Sequence, residues 1–223
     1  MHFNIASASA FIIMYTGIIT GCFSLKEVIE RKGLNTFIVE LDDRHMKDLQ
    51  IGASVSMDGV CLTVTKMDDN AVYFDAMQET LNLTTLGTLK TGDKVHIERS
   101  AKAGAEVGGH PISGHVDGKL TVKEITFPEN NCVMTLEIPE KLRPYVFNKG
   151  FVSIAGCSLT VTNLDKESGT FQVWLIPETL RVTKFGDLKP GDQINLEIDR
   201  QTQVVVDTVR SAVMDALKEL KLK

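Results

Sequence analysis

Cys61 and Thr63 stand two apart in the segment DGVCLTVT, and Ser158 and Thr160 stand two apart in AGCSLTVT. Residues two apart on an extended strand share a face. A thiol and hydroxyls so placed can bond a polar ligand, pass a proton or add to an electrophilic ring. On the inner face of a small barrel, the arrangement expected here, they would be costly to bury unless a polar ligand satisfied them. Spacing alone also admits hydroxyls on the solvent side of a strand. Glu79-Thr80 and Glu178-Thr179 form a second matched polar pair. A third cluster, Gly108-Gly109-His110-Pro111-Ile112-Ser113-Gly114-His115, carries two histidines among glycines that let backbone approach a ligand or turn sharply. Histidines five apart do not share a helix face, so a helical HExxH-type zinc site is excluded, and the sequence displays no further metal ligands. A structural role for a histidine in such a loop stands beside a catalytic one. No GxSxG elbow, Gly-rich phosphate loop or dinucleotide fingerprint occurs, and no nucleophile–base pair can be read out by spacing.

These residues recur because the sequence is duplicated. SVSMDGVCLTVT from Ser54 returns as FVSIAGCSLTVT from Phe151, 97 positions on, with seven of twelve positions identical. ETLNLTTLGTLKTGDKVHIE from Glu79 returns as ETLRVTKFGDLKPGDQINLE from Glu178, 99 positions on, with ten of twenty identical. GCFSLKEV from Gly21 has a fainter echo in GKLTVKEI from Gly118. A period this long means two homologous domains within 223 residues rather than a solenoid. It also suggests two similar pockets for two similar molecules.

Both copies read as β. Val, Ile and Thr alternate through them, and Asp58-Gly59, Thr91-Gly92-Asp93 and Pro190-Gly191-Asp192 mark tight turns. Short strands with frequent turns predict a small closed or sandwiched module. Short helical pieces are expected near 41–50 and 138–147. From about Gln203 a different pattern sets in: Val206, Val209, Val213, Ala216, Leu217 and Leu220 draw one apolar stripe on a terminal helix. Oligomerisation is the expected use of that stripe; packing on its own chain is the alternative. Residues 1–13 lack the basic start of a secretory signal and have no counterpart in the second copy, so they read as an upstream, poorly ordered extension. The net charge of −5 offers no basic face to nucleic acid, and no apolar run reaches transmembrane length. Four cysteines without CxxC spacing read as reduced, buried thiols of a cytoplasmic protein.

In combination, Met14-Tyr-Thr-Gly-Ile, DGVCLTV (58–64), ETL (79–81), GGHPISGH (108–115), SLTV (158–161), IPETL (176–180) and the EIDRQTQVVVDTV run (197–209) resemble the alpha-type riboflavin synthase family. The resemblance runs from Met14 into the C-terminal helix. It implies mainly β structure: two homologous six-stranded Greek-key barrels (14–107 and 108–200) and a helix (201–223) that mediates a homotrimer. It implies dismutation of two 6,7-dimethyl-8-ribityllumazine molecules to riboflavin and a pyrimidinedione, without cofactor or metal, at a site between the N-terminal barrel of one subunit and the C-terminal barrel of its neighbour. It also admits association with lumazine synthase. Carried onto this sequence, the N-terminal pocket would use Gly17, Ile18, Ile19, Cys61, Leu62, Thr63, Asp75, Ala76, Met77, Gln78, Glu79, Thr80, Gly114, His115 and Val116. The C-terminal pocket would use Lys149, Ser158, Leu159, Thr160, Ile176, Pro177, Glu178, Thr179, Leu180 and Arg181. His115 would transfer a proton at the reactive methyl group. Ser54, Cys61 or a water would be the nucleophile, and Ser158, Thr160 and Asp199 would orient ligand and relay protons. One departure stands out: Ala155 precedes Gly156 where the family usually has Asp or Asn, and the expected result is a weaker turn or an altered C-terminal pocket. The rival reading is a non-catalytic lumazine or flavin antenna protein on the same fold. Retention of SLTV, IPETL and the helix argues against it; a purely structural trimer is the third reading, and it leaves the matched polar faces without a reason to be kept.

Overall fold

A computed structural model describes residues 14–102 and 104–221; residues 1–13 lie outside it. Six strands, β1 (Gly21–Arg31), β2 (Leu34–Glu40), β3 (Ser54–Met57), β4 (Val60–Asp68), β5 (Ala71–Met77) and β6 (Lys94–Arg99), close an antiparallel barrel in the order β1-β2-β5-β4-β3-β6. The second copy supplies β7 (Gly118–Thr126), β8 (Cys132–Glu137), β9 (Phe151–Ile154), β10 (Cys157–Thr160), β11 (Thr162–Asp165), β12 (Thr170–Leu175) and β13 (Gln193–Ile198). Its order, β10-β9-β13-β7-β8-β12-β11, puts β10 and β11 at the two ends. Those two are consecutive halves of one strand, broken at Val161, and together they match β4. The expected six-stranded plan holds with that one interruption, and just beyond it, within β11, Asn163 adopts a left-handed φ of 48°. In β4 the same bend is only a register shift between Val64 and Lys66.

Helical pieces fall where the sequence placed them: α1 (Asp43–Met46), capped by the Asp42 side chain, and a 3₁₀ turn at Glu140–Tyr145. Two further short helices, α2 (Gln78–Leu83) and α3 (Pro177–Val182), begin at the matched ETL segments. The barrel interiors are packed with apolar side chains. Val60, Leu62 and Val64 join one core, and Cys157, Leu159 and Val161 join or pack against the other. Alternation therefore turns Cys61, Thr63, Ser158 and Thr160 outward. The inner-face placement expected for them is corrected: aliphatic neighbours gain more from the dry interior than a thiol or hydroxyl would. Not all cysteines are buried either; Cys132 and Cys157 are, while Cys22 and Cys61 are half-buried.

The terminal helix α4 (Arg200–Lys221) leaves the second barrel directly after β13. The Tyr145 hydroxyl donates to Asp207, two turns into the helix, at 2.7 Å. Of the expected stripe, Val206 is half-buried while Val209, Val213, Ala216, Leu217 and Leu220 are exposed, so packing on its own chain covers only the start of the stripe. No helix among the described residues is long and apolar enough to cross a membrane.

The barrels meet through two equivalent hairpin turns. Asp58-Gly59 and Ala155-Gly156 each have positive φ at both residues (49° and 82°; 45° and 84°), the turn that best suits strand twist. A Cβ on Gly59 would lie 2.6 Å from the Gly156 nitrogen, so these turns touch backbone to backbone. The contact is a pseudo-twofold. His96 Nδ1 donates to the Ala155 carbonyl at 2.9 Å and Nε2 accepts from the Lys184 amide at 2.9 Å. In the mirror position, Asn195 Nδ2 donates to the Asp58 carbonyl at 2.8 Å and Oδ1 accepts from the Thr85 amide at 2.7 Å. Ala155 thus lies at the barrel–barrel contact and does not line the C-terminal recess, so of the two expected results the altered pocket is corrected.

Candidate functional site

Two segments outside the barrels build the site. Residues 14–20 and 110–117 run antiparallel, and Tyr15 and Ile112 exchange both backbone hydrogen bonds at 3.0 Å. Each is tied by a buried carboxylate on the last strand of its own barrel. Glu98 Oε1 accepts from the Thr16 amide and hydroxyl at 2.7 and 2.8 Å, and Oε2 from the Gly17 amide at 3.1 Å. Glu197 Oε1 accepts from the Ser113 amide and hydroxyl, both at 2.7 Å, and Oε2 from the Gly114 amide at 2.9 Å. Burial pushes both carboxyls above the usual range, and these hydrogen bonds work against that rise.

The segments then cross over. The Gly114 carbonyl accepts from the Cys61 amide at 2.8 Å, placing the second copy's segment on the first barrel. The Gly17 carbonyl accepts from the Ser158 amide at 2.9 Å, placing the first copy's segment on the second barrel. A side chain at either glycine would collide, with 2.6 Å from Gly114 to Cys61 Cβ and 2.5 Å from Gly17 to Ser158 Cβ.

Each crossing roofs an equivalent recess on an outer barrel face. The N-terminal recess, about 200 Å³, gathers Cys61, Glu79, Thr80, Gly114, His115 and Val116, with Val60, Leu83 and Thr84. The C-terminal recess, about 630 Å³, gathers Gly17, Ile18, Ile19, Ser158, Leu159, Glu178, Thr179 and Arg181; Cys22, Arg44 and Thr183 also line it. Gly17 to Ile19 were expected at the N-terminal pocket and lie at the C-terminal one, because of the crossover. Leu62 and Ala76, expected to meet ligand, point into the barrel core. Ser54 and Thr63 are cross-strand partners outside the recess. Asp75 is held by the Thr36 hydroxyl at 2.6 Å, while Met77 and Gln78 are exposed at the start of α2. Lys149, Thr160, Ile176, Pro177 and Leu180 do not line the recess. Asp199 caps α4 by accepting from the Thr202 amide and hydroxyl at 2.9 and 2.6 Å.

Polar chemistry concentrates at Cys61 and Ser158. Tyr15 donates its hydroxyl to Cys61 Sγ at 3.1 Å, and burial followed by that bond raises the Tyr15 pKa. His110 Nδ1 lies 2.6 Å from Ser158 Oγ, and its ring stacks on Phe151 at 5.5 Å. Burial lowers the His110 pKa, with the Asp199 charge opposing the shift. His115 is exposed at the N-terminal recess, and its carbonyl accepts from Arg200. Sequence reasoning singled out His115 and passed over His110, although both lie in GGHPISGH. It also passed over Glu98, Glu197, Cys22, Arg44 and the matched Thr84 and Thr183. Among the described residues no group of three or more His, Cys, Asp or Glu is placed to hold a metal ion.

The lumazine binding domain model matches the chain twice, at residues 16–100 and 113–199. Each match opens on the segment that its own last strand clamps. The chain is 46% identical over 197 residues to the riboflavin synthase of Escherichia coli K12, covering 88% of this chain and 92% of that one. It is 39% identical over 208 residues to the riboflavin synthase of Buchnera aphidicola subsp. Schizaphis graminum, covering 93% and 99%. The chain belongs to the riboflavin synthase family. Among solved structures, LumP complexed with riboflavin superposes with a TM-score of 0.78 at 23% identity, covering 84% of this chain and all of that one. LumP complexed with 6,7-dimethyl-8-(1'-D-ribityl) lumazine gives 0.76 at the same identity and coverage. Those likenesses concern the fold. In this chain, duplication of the whole domain accounts for the paired recesses: each copy contributes one barrel face and the roof of the other copy's recess.

Proposed function

We propose that the chain is a riboflavin synthase. It takes two molecules of 6,7-dimethyl-8-ribityllumazine, moves a four-carbon unit from one to the other, and releases riboflavin and 5-amino-6-ribitylamino-uracil, the last step of riboflavin biosynthesis. The observation that carries this reading is the presence of two equivalent recesses in one chain of this family. A dismutation needs the same molecule held twice, once as donor and once as acceptor. Holding two rings face to face makes a bimolecular step effectively unimolecular, the larger contribution, and acid–base help adds roughly 10²–10⁴-fold. The methyl group at C7 of the lumazine is already acidic because the heterocycle delocalises the anion.

Cys61 lies in the N-terminal recess and Ser54 outside it, which favours Cys61 or a water over Ser54 as the nucleophile. His115, at the same recess, is placed to move a proton at the methyl group. Ser158 lines the C-terminal recess and is hydrogen-bonded to His110, which is buried behind it and feels the Asp199 charge, a pair that can relay a proton. The N-terminal recess of about 200 Å³ falls short of the ~300–1,000 Å³ that encloses a drug-sized ligand. A neighbouring subunit completes it. The exposed apolar stripe of α4 supplies the contact, and a homotrimer is the assembly that sets the N-terminal recess of one chain against the C-terminal recess of the next.

The test is turnover of the lumazine alone, without added metal or cofactor, followed by absorbance and chromatography. One riboflavin per two lumazines consumed is the expected stoichiometry. Tight binding with no riboflavin would overturn the synthase reading in favour of an antenna protein.

A further inference from the structure

The carboxylates of Glu98 and Glu197 stand outside the recesses, and nothing in the proposed chemistry uses them. Each is only 3% exposed. A buried carboxylate is costly unless hydrogen bonds satisfy it. A side chain serving its own barrel would find those bonds within the barrel. Here all three hydrogen bonds of each side chain come from the crossing segments: Thr16 and Gly17 for Glu98, Ser113 and Gly114 for Glu197.

Those segments are one mechanical unit, because the Tyr15–Ile112 pair joins them. Both also reach both recesses. The first segment places Tyr15 on Cys61 and Gly17 on Ser158; the second places Gly114 on Cys61 and His110 on Ser158. Releasing either end therefore disturbs both roofs. We propose that Glu98 and Glu197 are positioning residues of the synthase: paired clamps on a two-segment strap that closes both recesses at once, so that neither pocket opens alone. This rests on the assignment of the recesses as the lumazine pockets. It adds that their closure is shared and is set by two groups that touch no ligand.

Cys61 provides a readout that needs no ligand. It lies under the strap, whereas Cys132 and Cys157 are buried within the second barrel and report unfolding. In a Cys22→Ser background, thiol labelling of full-length protein is followed residue by residue by mass spectrometry for Glu98→Gln, Glu197→Gln and the milder Ser113→Ala. An amide keeps the size of the side chain but sets an N–H₂ against backbone donors. Expected is labelling at Cys61 faster by on the order of tenfold in each Gln variant, as loss of a charged hydrogen bond implies, with Cys132 and Cys157 still protected. Ser113→Ala should give a smaller rise. The Michaelis constant for lumazine should rise in the same order. Cys61 labelling at the parent rate in all three variants would overturn the clamp. So would acceleration that appears only together with Cys132, Ser113→Ala included, since that is global unfolding. Faster Cys61 labelling with an unchanged Michaelis constant would overturn the link between strap and pocket. Failure of the lumazine assay itself, with labelling as expected, would instead count against the pocket assignment.

Discussion

The two halves of the barrel–barrel contact share a backbone and differ in charge. On one side Asp58 is fully buried; Oδ1 accepts from the His96 amide at 2.9 Å and Oδ2 from the Lys184 ammonium. On the other, Ala155, Asn195 and Thr85 stand where Asp58, His96 and Lys184 stand. The turns keep the same dihedrals, and the Asp58 and Ala155 amides donate to the His96 and Asn195 carbonyls at 3.0 and 2.9 Å. The neutral half demonstrates that the turn and its docking need no ions. What the charged half requires is that Asp58 and Lys184 occur together. The missing carboxylate at Ala155 is therefore matched by the absence of a lysine at Thr85, a compensation within one molecule.

This comparison can be broken most severely at Lys184. Lys184→Met should leave the Asp58 carboxylate buried without a cation and destabilise the fold by about 3–5 kcal/mol. The double variant Asp58→Ala/Lys184→Thr copies the neutral half at two of its three positions, and should recover to within about 1–2 kcal/mol of the parent in urea titrations. A double variant as unstable as the single one would mean that the halves are not equivalent.

His96 sharpens the comparison through pH. Burial, the largest effect, holds its pKa down to about 4, with Lys184 adding to the depression and Asp58 opposing it. Between an ordinary unfolded value near 6.5 and the folded value, the unfolded chain binds the extra proton. Stability is therefore lost as pH falls through that window, by roughly 3 kcal/mol from pH 7 to pH 4. His96→Asn, which installs the residue of the other half, should remove that component. Glu98 and Glu197, whose pKa values are raised, contribute in the opposite sense in both proteins and cancel in the difference. Equal pH dependence in the two proteins would take His96 out of the account.

The smallest effect is expected at Ala155→Asp. The new carboxylate would face Thr85 with no lysine, but beside a groove open to solvent, so a cost of about 2 kcal/mol is expected by thermal or urea unfolding. Adding Thr85→Lys should reduce that cost.

Much of this architecture can be read in the sequence. The 97- and 99-residue offsets divide the chain into its two barrels, and the short helices and terminal stripe follow from periodicity. The alternation of Val60, Leu62 and Val64 with Cys61, Thr63 and Thr65 also carried the outward direction of the polar residues. An inward-facing pocket runs against that signal. The crossover was not legible, since pairing Tyr15 with Ile112 joins residues 97 apart through no local pattern. His110 was hidden for the same reason: it meets Ser158 only because the strap carries it 48 positions along the chain to β10. Ala155 could be seen as a departure, but its setting depended on Thr85 and Asn195 from elsewhere.

The pseudo-twofold at Tyr15 and Ile112 has an evolutionary reading. An isologous contact is what two identical single-barrel chains would make, each patch meeting its own copy. In such a pair every substitution appears twice, so a lysine could not be installed on one side alone. Fusion into one chain lifts that restriction. Asp58 with Lys184 on one side and Ala155 with Thr85 on the other are a pair of states that no symmetric ancestor could have held together.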